Sequence, residues 1–572
     1  MSTRSRHDEP TFVELFTPKL VTVLREGYGP GALHADVMAG LTVAIVALPL
    51  SMAIAIASGA SPAQGLYSAI IGGFIVSLLG GSRFQIGGPA GAFIVLVSAT
   101  VQNHGMDGLL LATFLSGIIL TIGGYLRLGS YIKLIPYPVT VGFTAGIAVI
   151  IFTSQVKEIF GLTLSGHEPG NILEKLPVLF AARDTMQPAA MMLALAAILI
   201  IVGLKRYRPG WPGMLMAVMV TALATALLNL PVTTIGSAFG GIPSGLPIPT
   251  LPDLRVEKII EVLPSAISFA LLGSIESLLS AVVADGMSGR RHRSNCELVA
   301  QGFANMAASL FTGICVTGTI ARTATNVRAG ARGPISGMLH SLFLLAFMIV
   351  AAPLARFIPL AALAGVLAVV SWNMVEKHAF ALLLKASRGD AAVLLSTFLL
   401  TVFRDLTEAI IVGFALGSLL FINRMSKAAA VQTDHGFIAA DRADNSNGGR
   451  VPYDEGVASD PDIVIFRISG VFFFGATGAI GTVLDRIPDS HKALIVDLAA
   501  VPFLDSSAAN TIEGLALKAR AHGKVVYLTG GSADILAYLK RHHITEPLVR
   551  FADTIDTARQ LVHADLTQSG HD

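Results

Sequence analysis

Between about residues 37 and 425 the chain returns repeatedly to apolar runs of roughly 18 residues or more, each long enough to cross a bilayer. Inside hydrocarbon every backbone N–H and C=O must be satisfied by the chain itself, so unbroken runs of this length fold as membrane-spanning helices. Composition agrees: the 572 residues are 53% hydrophobic and only 14% charged, with a mean hydropathy of +0.68. The 57 glycines suit close helix packing and interrupted helices. A formal net charge of +2 gives no support to nucleic-acid binding.

About fourteen segments are predicted, centred near 47, 71, 93, 118, 146, 195, 221, 273, 303, 321, 344, 366, 396 and 415. The Gly- and Pro-rich loop at 231–256 divides seven from seven, and an odd number in each half inverts one half relative to the other. With the N-terminus in the cytoplasm, Arg83, Arg127, Lys205, Arg206, Arg290, Arg291, Arg293, Arg328, Arg332, Lys385 and Arg388 fall in cytoplasmic loops, as the positive-inside rule requires. An even count returns the C-terminus to the cytoplasm. Residues 1–34 lack the apolar core of a cleavable signal, and 11–26 read as a short amphipathic helix on the membrane surface. The predicted organisation is a cytoplasmic segment at 1–34, a transport domain at 35–426, a linker at 427–460 and a soluble α/β domain at 461–568. Within the last, 463–468, 493–498 and 525–529 read as strands, with helices near 476–487, 507–521 and 532–541.

The third and tenth segments are short and broken by glycine, at Gln85-Ile86-Gly87-Gly88-Pro89-Ala90-Gly91-Ala92-Phe93 and at Gly313 through Arg322. Irregular backbone at membrane depth is tolerated only where it lines a cavity or meets a ligand, and paired breaks in two halves point to a transporter binding site. Gln64-Gly65 before the first break and Gln301-Gly302 before the second are a faint trace of the repeat. Pro89 is read as the first helical residue after one break, freeing the amides of Ala90, Gly91 and Ala92; Gly318 opens the other half-helix, followed by Thr319 and Ile320. Two such starts offer free N–H groups and partial positive charge to an anion. Arg322 adds a full charge one turn in. It either sets the anion-attracting potential or only pairs with Glu276, the other charge at depth, or caps backbone carbonyls. Glu276, with Ser280 one turn later on the same face, either carries a proton or cation during coupling or stands as a static partner of Arg322.

The run from Gly65 to Gly73, continued through Gly87-Gly88-Pro89-Ala90, resembles the signature region of the SulP anion transporters. Gly302 through Gly330, with Thr323, Asn326 and Arg328, resembles that family's tenth segment, and Asp497 through Ser507 looks like its C-terminal STAS domain. The resemblance spans nearly the whole chain. It implies a fold similar to uracil permease: a 7+7 inverted repeat, a core of segments 1–4 and 8–11, a gate of segments 5–7 and 12–14, and an elevator motion, commonly in a homodimer. It also implies a substrate site at Ala90, Gly91, Phe93, Thr319, Ile320 and Arg322, with Gly88, Pro89 and Gly318 shaping the breaks. Family substrates include sulfate, bicarbonate and chloride, and dicarboxylates in some bacterial members. Glu276 and Ser280 stand where sodium-coupled bicarbonate members carry an acid and a hydroxyl, but Ile320 departs from those members, and Gly273 through Leu279 more closely resembles bacterial dicarboxylate-type members.

In the STAS-like tail, Ser506 and Ser507 are candidate phosphorylation sites; the alternative is that Asp505 and Ser506 only cap the following helix, and position 508 is Ala where such motifs usually carry Gly. Cys315 reads as a small core hydrophobe and His340 and His378 as structural; no cofactor or metal is implied. The expected protein is a secondary active transporter of small, sulfate-type anions in the cell (inner) membrane, coupled to H⁺ or Na⁺. A C4-dicarboxylate or bicarbonate symporter and an anion exchanger are alternatives within the class. An uncoupled anion channel and a membrane anion sensor lie outside it.

Overall fold

The computed structural model describes residues 11–568 except 133–135, 167, 170–171, 209, 405, 429, 434–461, 474–476 and 478–490. The chain divides into two compact units between Gly417 and Ser418.

In the first unit every predicted centre falls inside a helix. Nine helices among the described residues are long and apolar enough to cross a membrane. Four other centres lie in shorter helices: the seventh (Gly213–Leu228), ninth (Ser294–Leu310), tenth (Ile320–Arg328) and thirteenth (Arg388–Phe403). The third and fourth segments are nearly continuous over Ile94–Tyr125, interrupted at Gly105, whose φ of 69° suits a residue without Cβ. The predicted surface helix at 11–26 is two short helices, Phe12–Phe16 and Lys19–Arg25, separated at Pro18.

Helix packing carries the repeat. The first segment (Pro30–Ala57) packs on the eleventh (Ile335–Ala355), Gly40 seating against Ser336 and His340; the equivalent pair, the eighth (Val256–Ser288) and the fourth, also pack. The second (Pro62–Leu79) meets the eleventh where Gly337 closes on Ser77, and the ninth meets the fourth where Gly302 closes on Gly117. The fifth (Tyr137–Phe160) joins the thirteenth through Gly146 and Thr401, and the twelfth (Leu360–Met374) joins the sixth (Pro188–Tyr207) through Gly365 and Ala194. Exchanging the halves maps each pairing onto another, as an inverted repeat demands. The Gln-Gly trace does not mark equivalent places, since Gln64 lies in the first turn of its helix and Gln301 two turns into its own.

In the second unit a five-stranded sheet runs β3-β4-β5-β6-β7, antiparallel between β3 (Ala430–Thr433) and β4 (Ile463–Ser469), then parallel through β5 (Ala493–Ala500), β6 (Val525–Thr529) and β7 (Arg550–Ala552). The alternating strands put Val464, Phe466, Leu494, Val496, Val526 and Leu528 on one face against the Ser506–Ala521 helix, and Ile463, Ile465, Ile495 and Tyr527 on the other against Ala558 and Val562. β3 lies in the span expected to be linker. It carries no isolated hydrophobic pattern and is a strand because β4 supplies its hydrogen-bond partners. The helix expected near 476–487 lies outside the described residues, apart from Thr477.

Candidate functional site

The two glycine breaks meet. Gly87–Gly88 (β1) and Thr317–Gly318 (β2) pair as a short antiparallel ladder, with Gly87 opposite Gly318 and Gly88 opposite Thr317. The ladder is extended by the Thr319 N–H donating to the Ile86 carbonyl at 3.1 Å. Backbone freed by interrupting each helix is therefore satisfied by the other break, which is how irregular chain survives at membrane depth.

This pairing moves both helix starts. Pro89 is not the first helical residue: Ala90 is extended (φ −115°, ψ 146°) and a 3₁₀ turn runs Gly91–Phe93 before the helix proper. Gly318 does not open the tenth helix, because it is held in β2; Thr319 is the N-cap and Ile320 the first helical residue. The first intrahelical bonds are Phe93 N–H to Ala90 C=O and Thr323 N–H to Thr319 C=O. The amides of Gly91 and Ala92 in one half, and of Ile320, Ala321 and Arg322 in the other, precede those bonds and point out of the helix ends.

Phe93 and Arg322 are each the third residue of their half-helix, so the pseudo-symmetric position carries a ring on one side and a cation on the other. Phe93 turns into the protein and packs edge-to-face on Phe269 of the eighth segment, centroids 5.9 Å apart. Arg322 is only 1% exposed. Its Nη2 donates to the Pro89 carbonyl at 2.6 Å, while Nε and Nη1 meet no hydrogen-bond acceptor of the protein. Nη1 lies against Gly88, where a Cβ would overlap it. Gly91 faces Ile151 of the fifth segment, so the third segment's start abuts that helix.

Arg322 and Glu276 form no ion pair within 4.0 Å; the one hydrogen bond of the guanidinium goes to the Pro89 carbonyl. Glu276 is half-buried, and its Oε2 is enclosed without a hydrogen-bond partner. Ser280 is fully buried and bonded to Thr323 Oγ1 at 3.1 Å, which in turn accepts from the Ile86 N–H at 3.1 Å. Ser280 thus braces the first break from behind.

Several bracing residues escaped the sequence reading. Gln85 donates to the Ser277 carbonyl at 2.9 Å and fills the space beside Gly318. Asn305 of the ninth segment donates to Val316 C=O and accepts from Val316 N–H, both at 2.8 Å, doing the work of a missing β neighbour. Thr317 Oγ1 donates to the Gly273 carbonyl at 3.1 Å. Lone polar side chains in otherwise apolar segments are the signal that marks them.

In the second unit Asp505 caps the Ser506–Ala521 helix through Ala508 N–H at 2.9 Å. Ser506 does not cap; it is exposed and its Oγ lies 2.9 Å from Tyr538 Oη. Ser507 is half-buried on the first turn.

Paired broken helices around a buried arginine, in a polytopic helical protein built as an inverted repeat, are the framework of a membrane transporter. The chain belongs to the sulfate permease family, whose model matches residues 33–397, with a STAS domain matched at 457–558. The family is one of transporters, not enzymes, and the chain is an anion transporter of this kind. It is 38% identical over 510 residues, 88% of this chain and 93% of the relative, to the putative sulfate transporter YvdB of Bacillus subtilis. The transmembrane domain of a cyanobacterial bicarbonate transporter, BicA, superposes with a TM-score of 0.61 at 31% identity, covering 66% of this chain and 97% of that one. Murine Solute Carrier 26 family member A9, an anion transporter solved in the inward-facing state, shares the fold with a TM-score of 0.81 at 19% identity, covering 99% of this chain and 96% of that one.

Proposed function

We propose that the chain carries a small inorganic anion of the sulfate type across the cell (inner) membrane by secondary active transport. The observation that carries this reading is the buried Arg322 guanidinium, with Nε and Nη1 free of protein acceptors beside two half-helix starts. A desolvated anion needs fixed donors and positive potential, and this arrangement supplies both without reorganisation. The relation to YvdB, a putative sulfate transporter, supports sulfate; the BicA likeness keeps bicarbonate as the second reading, and a C4-dicarboxylate is a third.

Glu276, half-buried and unpaired with Arg322, is the coupling group for H⁺ or Na⁺, and Ser280 holds the break rather than the ion. Segments 1–4 and 8–11 act as a core that moves as an elevator against a gate of segments 5–7 and 12–14, in a homodimer. Both termini lie in the cytoplasm, and the STAS domain, whose sheet takes in β3 from the span expected to be linker, is regulatory, with exposed Ser506, and secondarily Ser507, accepting phosphate. The deciding experiment is uptake of labelled sulfate, bicarbonate and succinate into proteoliposomes, each with imposed proton or sodium gradients. Sulfate uptake driven by one gradient is expected. Gradient-independent flux of every anion would make the protein a channel.

A further inference from the structure

A second place in the membrane unit gathers positive charge around a cavity and shares no residue with the helix breaks. The cavity measures 480 Å³ and lies where the turn after the Lys19–Arg25 helix meets three inter-segment loops. Arg83 reaches it from the loop after the second segment, Arg290 from the loop after the eighth and Arg332 from the loop after the tenth. Glu26 is the acid among its lining residues, so three arginines face one carboxylate.

Each charge can be traced. The Arg83 side chain is 9% exposed and bonded to Glu26 at 2.5 Å, and that bond holds the Glu26 carboxyl below the usual carboxylate range. Nearby Asp36 is spent on Tyr28 Oη at 2.6 Å and the Arg332 and Gly333 amides at 2.6 and 3.2 Å. The Arg290 and Arg332 side chains are exposed, and neither forms an ion pair among the described residues. Lys19, on the same short helix, has its ammonium pKa pushed down by burial first and then by Arg293 and Arg83, against the opposing pull of Asp285 and Glu26. Topology anchors need only face water. Here three arginines, one of them buried, converge from separate loops on one concave site.

We propose that this cavity binds a phosphate-bearing anion, the headgroup of an anionic phospholipid or a soluble phosphate, which ties the N-terminal helix to the three loops. Arginine forks match phosphate oxygens in pairs, and a basic pocket at the membrane boundary is suited to a charged headgroup. The proposal is independent of the transport site.

The test uses the full chain in nanodiscs of phosphatidylcholine, alone or mixed with phosphatidylglycerol. Native mass spectrometry reads retained phosphatidylglycerol, and thermal melting in pure phosphatidylcholine reads stabilisation by sodium phosphate. The double variant Arg290→Gln, Arg332→Gln is compared with wild type and with Arg322→Ala. Loss of phosphatidylglycerol retention in the double variant only, with affinity down about tenfold or more, identifies a lipid site. Loss of the phosphate-induced melting shift in the double variant only identifies a soluble ligand. Equal behaviour of wild type and double variant in both arms overturns the proposal, as does a phosphate shift that disappears only in Arg322→Ala, which would belong to the transport site. Unchanged melting without ligand verifies that the double variant folds; otherwise Arg290→Gln alone is carried through the same arms.

Discussion

The guanidinium of Arg322, on the tenth segment, donates 2.6 Å to the carbonyl of Pro89, on the third. One cation therefore ties together the two interrupted helices whose backbones already pair at Gly88 and Thr317. The bond uses Nη2 alone and leaves Nε and Nη1 buried without an acceptor from the protein, Nη1 lying against Gly88. Potential and position come from the same side chain.

Arg322→Ala removes both. Uptake is expected to fall on the order of a hundredfold, since loss of a charge-assisted bond alone is worth about 1.5–3 kcal/mol and the buried charge is lost with it. Arg322→Lys keeps the charge but not the fork, and should retain weak uptake with a raised KM. Proteoliposome uptake with a parallel thermal melt checks both; full transport by the alanine variant would remove Arg322 from the site.

Glu276→Gln keeps shape and removes the titratable group. Because no ion pair with Arg322 has to be broken, the variant is expected to fold normally, bind anion and lose the response of uptake to an imposed proton or sodium gradient. Counterflow, which needs no gradient, should persist. Retained gradient stimulation would make Glu276 structural.

Gly318→Ala places a methyl on Gln85, whose Nε2 is fixed by Ser277. Overpacking of a rigid site costs roughly 1–3 kcal/mol, and here the strain falls on the ladder that aligns both half-helices. Transport should drop about tenfold or more, and Gln85→Ala in the same chain should restore part of it by vacating the space, despite leaving the Ser277 carbonyl without that donor. No recovery in the double variant would mean that Gly318 serves something other than clearance from Gln85.

Much of this architecture was legible in sequence because it rests on patterns with a physical period. Apolar runs put all fourteen expected centres inside helices of the described residues, and the glycine breaks marked where two stretches of irregular backbone pair. Helix starts were read two residues early at both Pro89 and Gly318, because proline and glycine preferences are local, whereas the pairing of Gly87 with Gly318 joins residues far apart in the chain. Ser280 was placed beside Glu276 by helical spacing, yet its hydroxyl is claimed by Thr323, a partner from another segment. β3 was hidden for the same reason: a four-residue edge strand acquires its identity from β4.

Asp505 and Ser506 provide a separable test in the soluble unit. Asp505 accepts from Ala508 N–H, so Asp505→Ala should cost about 1 kcal/mol of local helix stability, the usual worth of an N-cap. Hydrogen exchange followed by mass spectrometry on the full chain should then show the first turn of the Ser506–Ala521 helix exchanging about fivefold faster, with the membrane helices unchanged. Ser506→Ala forfeits an exposed contact with Tyr538 and leaves the cap intact, so its exchange should stay within about twofold of wild type. The contrast separates structure from regulation: Ser506 is replaceable as far as folding goes, and it sits exposed at a helix start where a phosphate is stabilised by the dipole. Equal acceleration by both substitutions would show that Ser506 shares the capping role, and its availability for phosphorylation would then carry a folding cost.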